Sequence, residues 1–293
     1  MIYQQKQFEK FISLVEQHAP EEGLNYTLVE NFGTFKASNN QTRTPMLDQP
    51  AIWIVAQGTK TCHVGDQRFA FSPGNVVVMF YPMAVEYEIS GVSPEAPYLV
   101  AGVAIDLAKM ADVLLRIDRI DGIAAKPVSS DPSGIFSIPL DDKLLDPFIR
   151  LFNLLSDSRE AAFFGHSLVD EIYFRLLMDE RGGELRYLLQ QRGEIQRIAR
   201  AVEYIHQNLD KPVSVEGLAE MAHMGQTSFY ENFRKVMHLS PLQYAKSVKL
   251  HRAQTLIREG KKANEAGYLV GYNSPAQFSR EYKRHFGYAP SMT

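Results

Sequence analysis

The side chains of the C-terminal part of this chain that are best suited to bind a ligand are cations on one predicted amphipathic helix. An aromatic residue recurs at every fourth position in residues 274–287, which predicts a helix with one apolar stripe. The stripe consists of Phe278, Tyr282 and Phe286. Three cations stand off this stripe, where they can meet the phosphates or base edges of a nucleic acid: Arg280, Lys283 and Arg284.

The neighbouring sequence supplies the elements that would hold this helix. Residues 262–270 predict a preceding short helix and residues 271–273 a tight turn, which together make a helix-turn-helix unit. Further upstream, residues 240–260 begin with Ser and Pro, which favour a helix start, and end in Gly, which favours a stop. Apolar residues recur at helical spacing between these signals. We therefore predict one long helix ahead of the unit.

A second unit of the same kind precedes the long helix. Ser214 is placed to cap a short helix, and residues 223–225 predict a turn. A further helix follows over residues 226–237, with Phe229 and Phe233 facing inward. One helical hairpin is a weak signal, but two joined by a connecting helix are typical of a protein that enters the major groove of DNA. The alternative is a helical scaffold that binds another protein.

Charge separates the two parts of the 293-residue chain. Residues 194–293 contain 14 Lys and Arg against 9 Asp and Glu, a net charge of +5, and the remainder carries −8. This asymmetry favours contact of the C-terminal part with a polyanion, although a chance split is the alternative. No apolar run reaches membrane-spanning length, the N-terminus lacks a signal-peptide layout, and the single Cys62 rules out an internal disulfide framework. We expect a cytoplasmic protein without membrane contact.

The fold class predicted by these patterns is α+β. Short β-branched and aromatic runs with frequent turn residues fill residues 25–105, which predicts a small sandwich or barrel. Helical spacing returns at about 141–181 as a hairpin of two helices. The predicted boundaries are 1–185 for the β-rich N-terminal domain and 190–293 for an all-helical domain, whose two helix-turn-helix units lie at about 214–236 and 262–286 and are joined by a linker helix.

The helical hairpin has more large apolar residues than one helix facing a small β-domain needs. We interpret the excess as a dimer seam, and docking of all of it on its own β-domain is the equal alternative. The residues concerned are Phe163, Phe164, Ile172, Leu176 and Leu177.

Three stretches of the C-terminal domain, residues 214–235, 240–257 and 271–290, resemble the signature of the AraC/XylS family of transcription regulators. Residues 51–82 and 97–106 are similar to the cupin-like N-terminal domain of one AraC subgroup. The resemblance implies that the two units bind adjacent major-groove segments on one face of double-stranded promoter DNA. It also implies a homodimer, a small-molecule effector held by the N-terminal domain, RNA polymerase as a partner, and activation as the commoner outcome.

The resemblance assigns the DNA contacts to the outward side of the second helix in each unit. Arg280 is the strongest candidate, because Arg can pair with two acceptors of guanine or bind phosphate. Gln277 suits adenine, and Tyr230 suits a sugar or a thymine methyl. A solvated helix face is the alternative for each residue. The full set is Thr227, Ser228, Tyr230, Glu231, Arg234, Gln277, Ser279, Arg280 and Arg284, with Pro275 and Ala276 on the same side.

Several positions depart from the family pattern. Gly225 stands where a Ser normally caps the helix, and Gly caps slightly less well. Glu231 stands where the family often has Arg, so it either accepts from cytosine N4 or repels phosphate. Ala263, Ala266 and Gly267 replace bulkier residues and an Ala. Lost core volume and a glycine inside a helix predict that the second unit is the less stable one.

An effector in the N-terminal domain would be lined by side chains that strand alternation turns inward. For each candidate, ordinary core packing is the alternative. Cys62 and its neighbour His63 point to opposite faces of a strand, so they cannot form a local thiolate pair. Cys62 is therefore either a sensing thiol or a buried cysteine. The candidate lining residues are Trp53, His63, Phe69, Phe80 and Tyr87, with Val55, Phe71 and Val78 sharing the pattern.

The rival function is a cupin-like enzyme or a small-molecule-binding protein with a helical interaction module. Metal-dependent cupins share a His-x-His pair followed by Glu and a later His. Here His63 stands alone, Gly65 is two residues on, and the next histidine is His166. Without clustered ligands, a phosphate-binding loop or a nucleophile motif, we expect no metal, cofactor or catalytic residue.

Overall fold

The computed structural model describes residues 4–121, 134–179, 185, 186, 189 and 194–293. The predicted domain boundary at 185–190 lies largely outside the described residues. The N-terminal domain is β-rich and the C-terminal domain is helical, so the predicted α+β class is confirmed. We refer below to the pairs of helices in the C-terminal domain as the first unit and the second unit.

The described strands are antiparallel and form two sheets rather than a closed barrel. One sheet has the order β1-β2-β9-β4-β7-β10 and the other β3-β8-β5-β6, and no described strand pairs across them. The sandwich is therefore right and the barrel is wrong, because both sheets end in strands that lack a second neighbour. The strands are β1 Gly23–Tyr26, β2 Phe32–Ala37, β3 Gln41–Asp48, β4 Ala51–Gln57, β5 Lys60–Val64, β6 Gln67–Phe71, β7 Asn75–Met79, β8 Met83–Ile89, β9 Tyr98–Ala104 and β10 Ile135–Pro139.

The helices divide between the two domains. Four of the described α-helices belong to the N-terminal domain, where α1 and α3 pack on the six-stranded sheet, and the remainder form the C-terminal domain. The first unit is α6 and α7, the second unit is α9 and α10, and α8 is the linker between them. The helices are α1 Gln5–Gln17, α2 Leu107–Asp121, α3 Asp142–Leu154, α4 Ser158–Met178, α5 Glu194–Gln207, α6 Val215–Met221, α7 Gln226–Met237, α8 Pro241–Arg258, α9 Ala263–Leu269 and α10 Pro275–Phe286.

Register separates the two faces of the six-stranded sheet. Phe32 on β2 packs edge-to-face on Phe152 of α3, with ring centroids 4.8 Å apart, so this face lies under the helices. Phe35 is an odd number of positions away and faces the other sheet. Its paired residue Val100 and, across β9, Val55 face the same way. The space between the sheets is therefore lined by the Phe35 set of side chains.

The linker helix has the capping chemistry that the sequence indicates. Ser240 accepts from the Gln243 backbone N–H, and the Gln243 side chain accepts from the Ser240 N–H, which completes a capping box. Pro241 occupies the first turn, and Gly260 follows the helix with a φ of +96°. These signals fix both ends of an 18-residue helix.

Helix α4 buries one face and exposes another that is also apolar. Ile172, Leu176 and Leu177 are completely buried against the N-terminal domain. Phe163 and Phe164 are 69% and 49% exposed. The apolar excess predicted from sequence is therefore split, since the first three residues dock on their own domain and the two phenylalanines do not.

Candidate nucleic-acid interface and effector site

The first unit places α7 on the surface with a buried aromatic stripe beneath it. Ser214 caps α6 by accepting from the Gly217 N–H, and Phe229 and Phe233 of α7 are fully buried. Gly225 precedes α7 without any side-chain cap. The first helical N–H groups of α7 are thus left without a side-chain acceptor at the end that a recognition helix presents to DNA.

The five candidates on α7 are all exposed. The Asn232 amide donates to the Ser228 hydroxyl over 3.3 Å, which leaves the hydroxyl able to donate elsewhere. Tyr230 is 39% exposed, and Glu231 has no ion pair with any other described residue. Arg234, near the end of the helix, lies 4.0 Å from Asp66 of the N-terminal domain. Thr227, Ser228, Tyr230 and Glu231 share the open side of α7, and Arg234 lies toward the other domain.

The second unit presents α10 in the same manner and with a better start. The Ser274 hydroxyl accepts from the Gln277 N–H, and Pro275 occupies the first turn. The predicted inner stripe is confirmed, because Phe278, Tyr282 and Phe286 are each less than 10% exposed. Tight packing against α9 depends on Gly267, where an added Cβ would lie 2.9 Å from Cγ of Phe278.

The outward side of α10 is polar and cationic. Gln277, Ser279, Arg280 and Arg284 are all exposed. The Gln277 amide donates to Glu281 over 3.3 Å, which holds it along the helix. Arg280 and Arg284 make no hydrogen bond or ion pair with the rest of the described chain. Both guanidinium groups are thus available to phosphate or guanine.

The linker sets the spacing between the two units. An 18-residue α-helix is about 27 Å long. Successive turns of the B-DNA major groove are about 34 Å apart. A linker of this length, with a unit packed at each end, is suited to two neighbouring groove segments on one side of the duplex.

The effector candidates do not all face the interior of the sandwich. Trp53 pairs with Gly102 on the Phe35 side, and Tyr87, paired with Cys62, faces it from the other sheet. His63 is on the opposite face of β5, 3.7 Å from Glu88, so it does not line the interior. Alternation with Trp53 also places Val78 under the helices, because it pairs with Ile52.

The other two aromatic candidates lie at the margins of the interior. Phe69 is on the edge strand β6, with its ring 5.9 Å from that of His238 in the C-terminal domain. Phe80 lies just beyond β7 and packs edge-to-face on Tyr81, with ring centroids 4.9 Å apart. Of the five candidate lining residues, Trp53 and Tyr87 face the space between the sheets, Phe69 shares the face of its paired residue Cys62 but lies on the edge strand, and Phe80 and His63 lie outside that space.

The charged side chain of Lys60 also lies between the sheets, and it is not among the lining residues predicted from the sequence. The Lys60 ammonium lies 3.2 Å from the centre of the Tyr87 ring and 5.3 Å from that of Phe35. The Tyr87 hydroxyl donates to the Asp48 carboxylate. Burial lowers the pKa of Lys60 and raises that of Asp48, and the attraction between the two charges opposes these shifts only in part. Alternation with Cys62 placed Lys60 inward and was the signal available for finding it.

Cys62 is a buried cysteine. It is fully inaccessible, and burial raises its thiol pKa above the usual range. Within the described parts of the chain, no three His, Cys, Asp or Glu side chains are grouped to hold a metal ion. The same residues include no helix that is long and apolar enough to cross a membrane.

Family comparisons agree with this geometry. Residues 28–184 match the family described as the AraC-type transcriptional regulator N-terminus, which is more than half of the chain. The chain belongs to the AraC family of transcriptional regulators. Residues 218–293 match a helix-turn-helix domain, so the regulator carries the DNA-binding domain that its two helical units indicate.

Relatives of this AraC-type regulator extend over most of its length. It is 23% identical to the lactose operon transcription activator of Staphylococcus xylosus over 93% of this chain and 86% of the relative. It is 27% identical to the RCS-specific activator RclR of Escherichia coli over 76% of this chain and 75% of the relative. Its fold is similar to unsaturated fatty acid-bound ToxT of Vibrio cholerae, with a TM-score of 0.59, 11% identity and coverage of 89% of this chain and 93% of ToxT.

Proposed function

We propose that this AraC-family regulator is an effector-responsive activator that binds promoter DNA as a homodimer in the cytoplasm and acts on RNA polymerase. The proposed DNA recognition rests on the exposed cationic face of α10, where Arg280 and Arg284 have no ion pair with another described residue. This helix belongs to the second of two units that are joined by the capped linker α8. Two relatives that match over three quarters or more of their length are named as activators, which supports the sign of control.

Footprinting of the protein on its own upstream DNA across a salt series tests this mode of reading. We expect protection of two adjacent major-groove segments. Arg280→Ala is expected to weaken specific binding by about 5- to 150-fold, equivalent to about 1–3 kcal/mol. The matched control is Arg159→Ala, which removes an exposed arginine from the N-terminal domain. Equal affinity of wild type and Arg280→Ala at every salt concentration would contradict the assignment.

The dimer is proposed to form through the outer face of α4. Four large apolar side chains lie on the side of the helix opposite its buried face, and each is at least 41% exposed. A groove of about 330 Å³ between α3 and α4 adjoins them and is lined in part by Leu154 and Leu168. A second copy related by a two-fold axis would place the same helix and groove opposite each other. The four residues are Phe163, Phe164, Phe174 and Met178.

Sedimentation velocity over a concentration series tests the seam. The double variant Phe163→Ser and Phe174→Ser is expected to shift the protein from dimer to monomer. Ile120→Ser is the control, because Ile120 is 81% exposed on α2 and lies away from the seam. A double variant that remains dimeric would contradict this interface, and a wild type that is monomeric at all concentrations would contradict the dimer itself.

The effector is proposed to be an organic acid that binds between the sheets beside Lys60. The Lys60 ammonium has aromatic neighbours, and no carboxylate of the described residues lies within ion-pair distance of it; Asp48 acts on it from farther away and is engaged by the Tyr87 hydroxyl. A ligand carboxylate in direct contact would supply a closer counter-charge than Asp48 does and offset the desolvation of the ammonium. The fatty acid bound by ToxT, which shares this fold, supports the same chemical class.

The single tryptophan makes a direct binding assay possible, since Trp53 lines the same interior. Its fluorescence is to be followed during titration with a cis-unsaturated C16 fatty acid and with the methyl ester of that acid. We expect the acid to bind at least 10-fold more tightly than the ester, and Lys60→Met to abolish this preference. Lys109→Met, at an exposed position on α2, should retain it. Equal binding of acid and ester by the wild type would contradict an acidic effector.

A further inference from the structure

The buried apolar residues of the described chain form two separate clusters. The larger one runs without a break from the two sheets through α5, α6 and α7 and into α8 as far as Val248. The smaller one begins at Leu250 in the same helix and contains the inner stripe of the second unit. The first unit therefore shares its core with the N-terminal domain, and the second unit has a core of its own.

Backbone-to-backbone contact joins the N-terminal domain to the end of α7. Gly65, in the turn between β5 and β6, has a φ of +57° and faces the carbonyl oxygen of His238. A Cβ at Gly65 would lie closer to that oxygen than any non-bonded contact allows. On the other side of α7's last turn, the Gly134 N–H donates to the Val236 carbonyl over 3.1 Å. The C-terminal end of the first recognition helix is thus held between two segments of the other domain.

A buried hydroxyl adds a polar joint to these contacts. Tyr244, at the start of α8, is fully buried and donates to the Pro82 carbonyl over 2.9 Å. Its oxygen also lies 2.8 Å from Nε2 of His206 on α5. Because the single hydroxyl hydrogen goes to Pro82, His206 must donate its Nε2 hydrogen to Tyr244. These two hydrogen bonds therefore link α5 through α8 to Pro82, the residue just before β8.

The contact of the second unit with the N-terminal domain is of a different kind. Helix α10 approaches β3, but between the described residues of the N-terminal domain and residues 249–293 there is no hydrogen bond or ion pair. The turn at Gly271 instead lies against Asp210 at the end of α5, where an added Cβ would be 2.6 Å from the carbonyl oxygen. The second unit is consequently attached through α8, through the first unit and by the packing of α10 on β3, where Glu86 of the neighbouring strand β8 acts electrostatically on His285.

We propose that the N-terminal domain holds the first unit directly, at a joint made by Gly65, Gly134 and Tyr244, while the second unit is a separately cooperative module. This inference rests on the DNA-binding regulator described above. The strands β5 and β8 carry Lys60 and Tyr87, and one end of each strand borders the joint. A ligand between the sheets that moves either strand would therefore displace α7, and with it the first unit's contact with DNA, before it affects the second unit.

Hydrogen exchange of the full chain, without DNA or effector, tests the joint. Gly65→Ala is compared with Gly91→Ala, since Gly91 has a φ of +72° but nothing within 4 Å of an added Cβ. The two changes impose a similar backbone strain, and only one enters the joint. We expect exchange in residues 226–248 to become at least 10-fold faster in Gly65→Ala alone, with residues 275–286 unchanged. Equal acceleration in both segments, or in neither, would overturn the proposal.

A second pair of variants leaves the backbone intact. Tyr244→Phe removes the hydroxyl shared by His206 and Pro82, and Tyr282→Phe removes a hydroxyl that bonds to Thr293 and Tyr288, both of which follow α10 in the chain. Faster exchange in α7 is expected from the former and faster exchange in α10 from the latter. The reverse pattern, or acceleration of both helices by either variant, would contradict separate modules. Failure of the wild type to footprint any DNA would count against the proposed function and would leave this exchange result unaffected.

Discussion

The pH dependence of the second unit follows from two buried histidines. His251 on α8 is 8% exposed, and its Nε2 lies 3.3 Å from Nε2 of His285 on α10. The Ser247 hydroxyl lies 3.4 Å from the same nitrogen of His285. Burial, reinforced by His285 and Arg258, lowers the pKa of His251 to about 3. Burial also lowers the pKa of His285 to about 4, and Glu86 opposes it only in part.

Both imidazoles are therefore neutral in the folded protein at pH 5, whereas an unfolded histidine, with a pKa near 6.5, is protonated. The stability that neutral burial preserves is fully present above pH 6.5 and is lost as the pH falls toward the folded values. At pH 5 the unfolded state is favoured by about 1.5 pK units, or about 2 kcal/mol, for each histidine. The two histidines together should lower the free energy of unfolding of the second unit by about 4 kcal/mol when the pH falls from 7.5 to 5.

Hydrogen exchange of α10, corrected for the intrinsic rate at each pH, measures this loss in the full chain. Between pH 7.5 and pH 5, the opening free energy of α10 should fall by about 4 kcal/mol less in the double variant His251→Gln and His285→Gln than in the wild type. His223→Gln, at an exposed histidine of the first unit, should behave as the wild type does. The reasoning is refuted if the wild type loses less than about 1 kcal/mol in α10, or if the double variant loses as much as the wild type.

Three further results are expected from the structure. Gly267→Ala should destabilise the second unit by about 1–3 kcal/mol in denaturant unfolding, because the new Cβ meets Phe278, and an unchanged midpoint would contradict that packing. Glu231→Gln should raise DNA affinity at low salt and not at high salt if the carboxylate repels phosphate, and it should relax one base position instead if the carboxylate reads cytosine. Amide exchange should be faster in the second unit than in the first, and slower exchange in residues 262–287 than in residues 214–236 would contradict this order.

The C-terminal domain could be predicted well because its signals are local. The caps Ser214, Ser240 and Ser274 each bond a backbone N–H within three residues, and the apolar periods lie within single helices. Strand β3 was harder to recognise, since its first half is exposed and polar and it contains Pro45. An edge strand tolerates both features because one of its sides has no neighbour, so neither composition nor alternation marks it.

The effector site and the joint depend on contacts that sequence does not encode locally. Alternation gave the correct face for Trp53 and Tyr87 but could not tell which face of β5 is inward, and so His63 was included in place of Lys60. Gly267 looked like a helix defect, yet the absent side chain is what admits the ring of Phe278. Both features depend on which partner lies opposite a residue, and that is decided by tertiary packing.

The two units differ in their DNA-facing helices and in their connection to the N-terminal domain, which suits different roles in DNA binding and regulation. The first has no side-chain cap on α7 and carries Glu231 on its outer face, so we expect its own attraction for DNA to be the weaker if the carboxylate repels phosphate. The second has the Ser274 cap and two unpaired arginines on α10, which favours steady contact with phosphate. Only the first unit shares a core with the N-terminal domain. A unit that binds DNA weakly is the one whose occupancy of DNA changes most when the unit is slightly displaced. Regulation by the N-terminal domain is therefore most effective at the first unit, with which that domain shares its core.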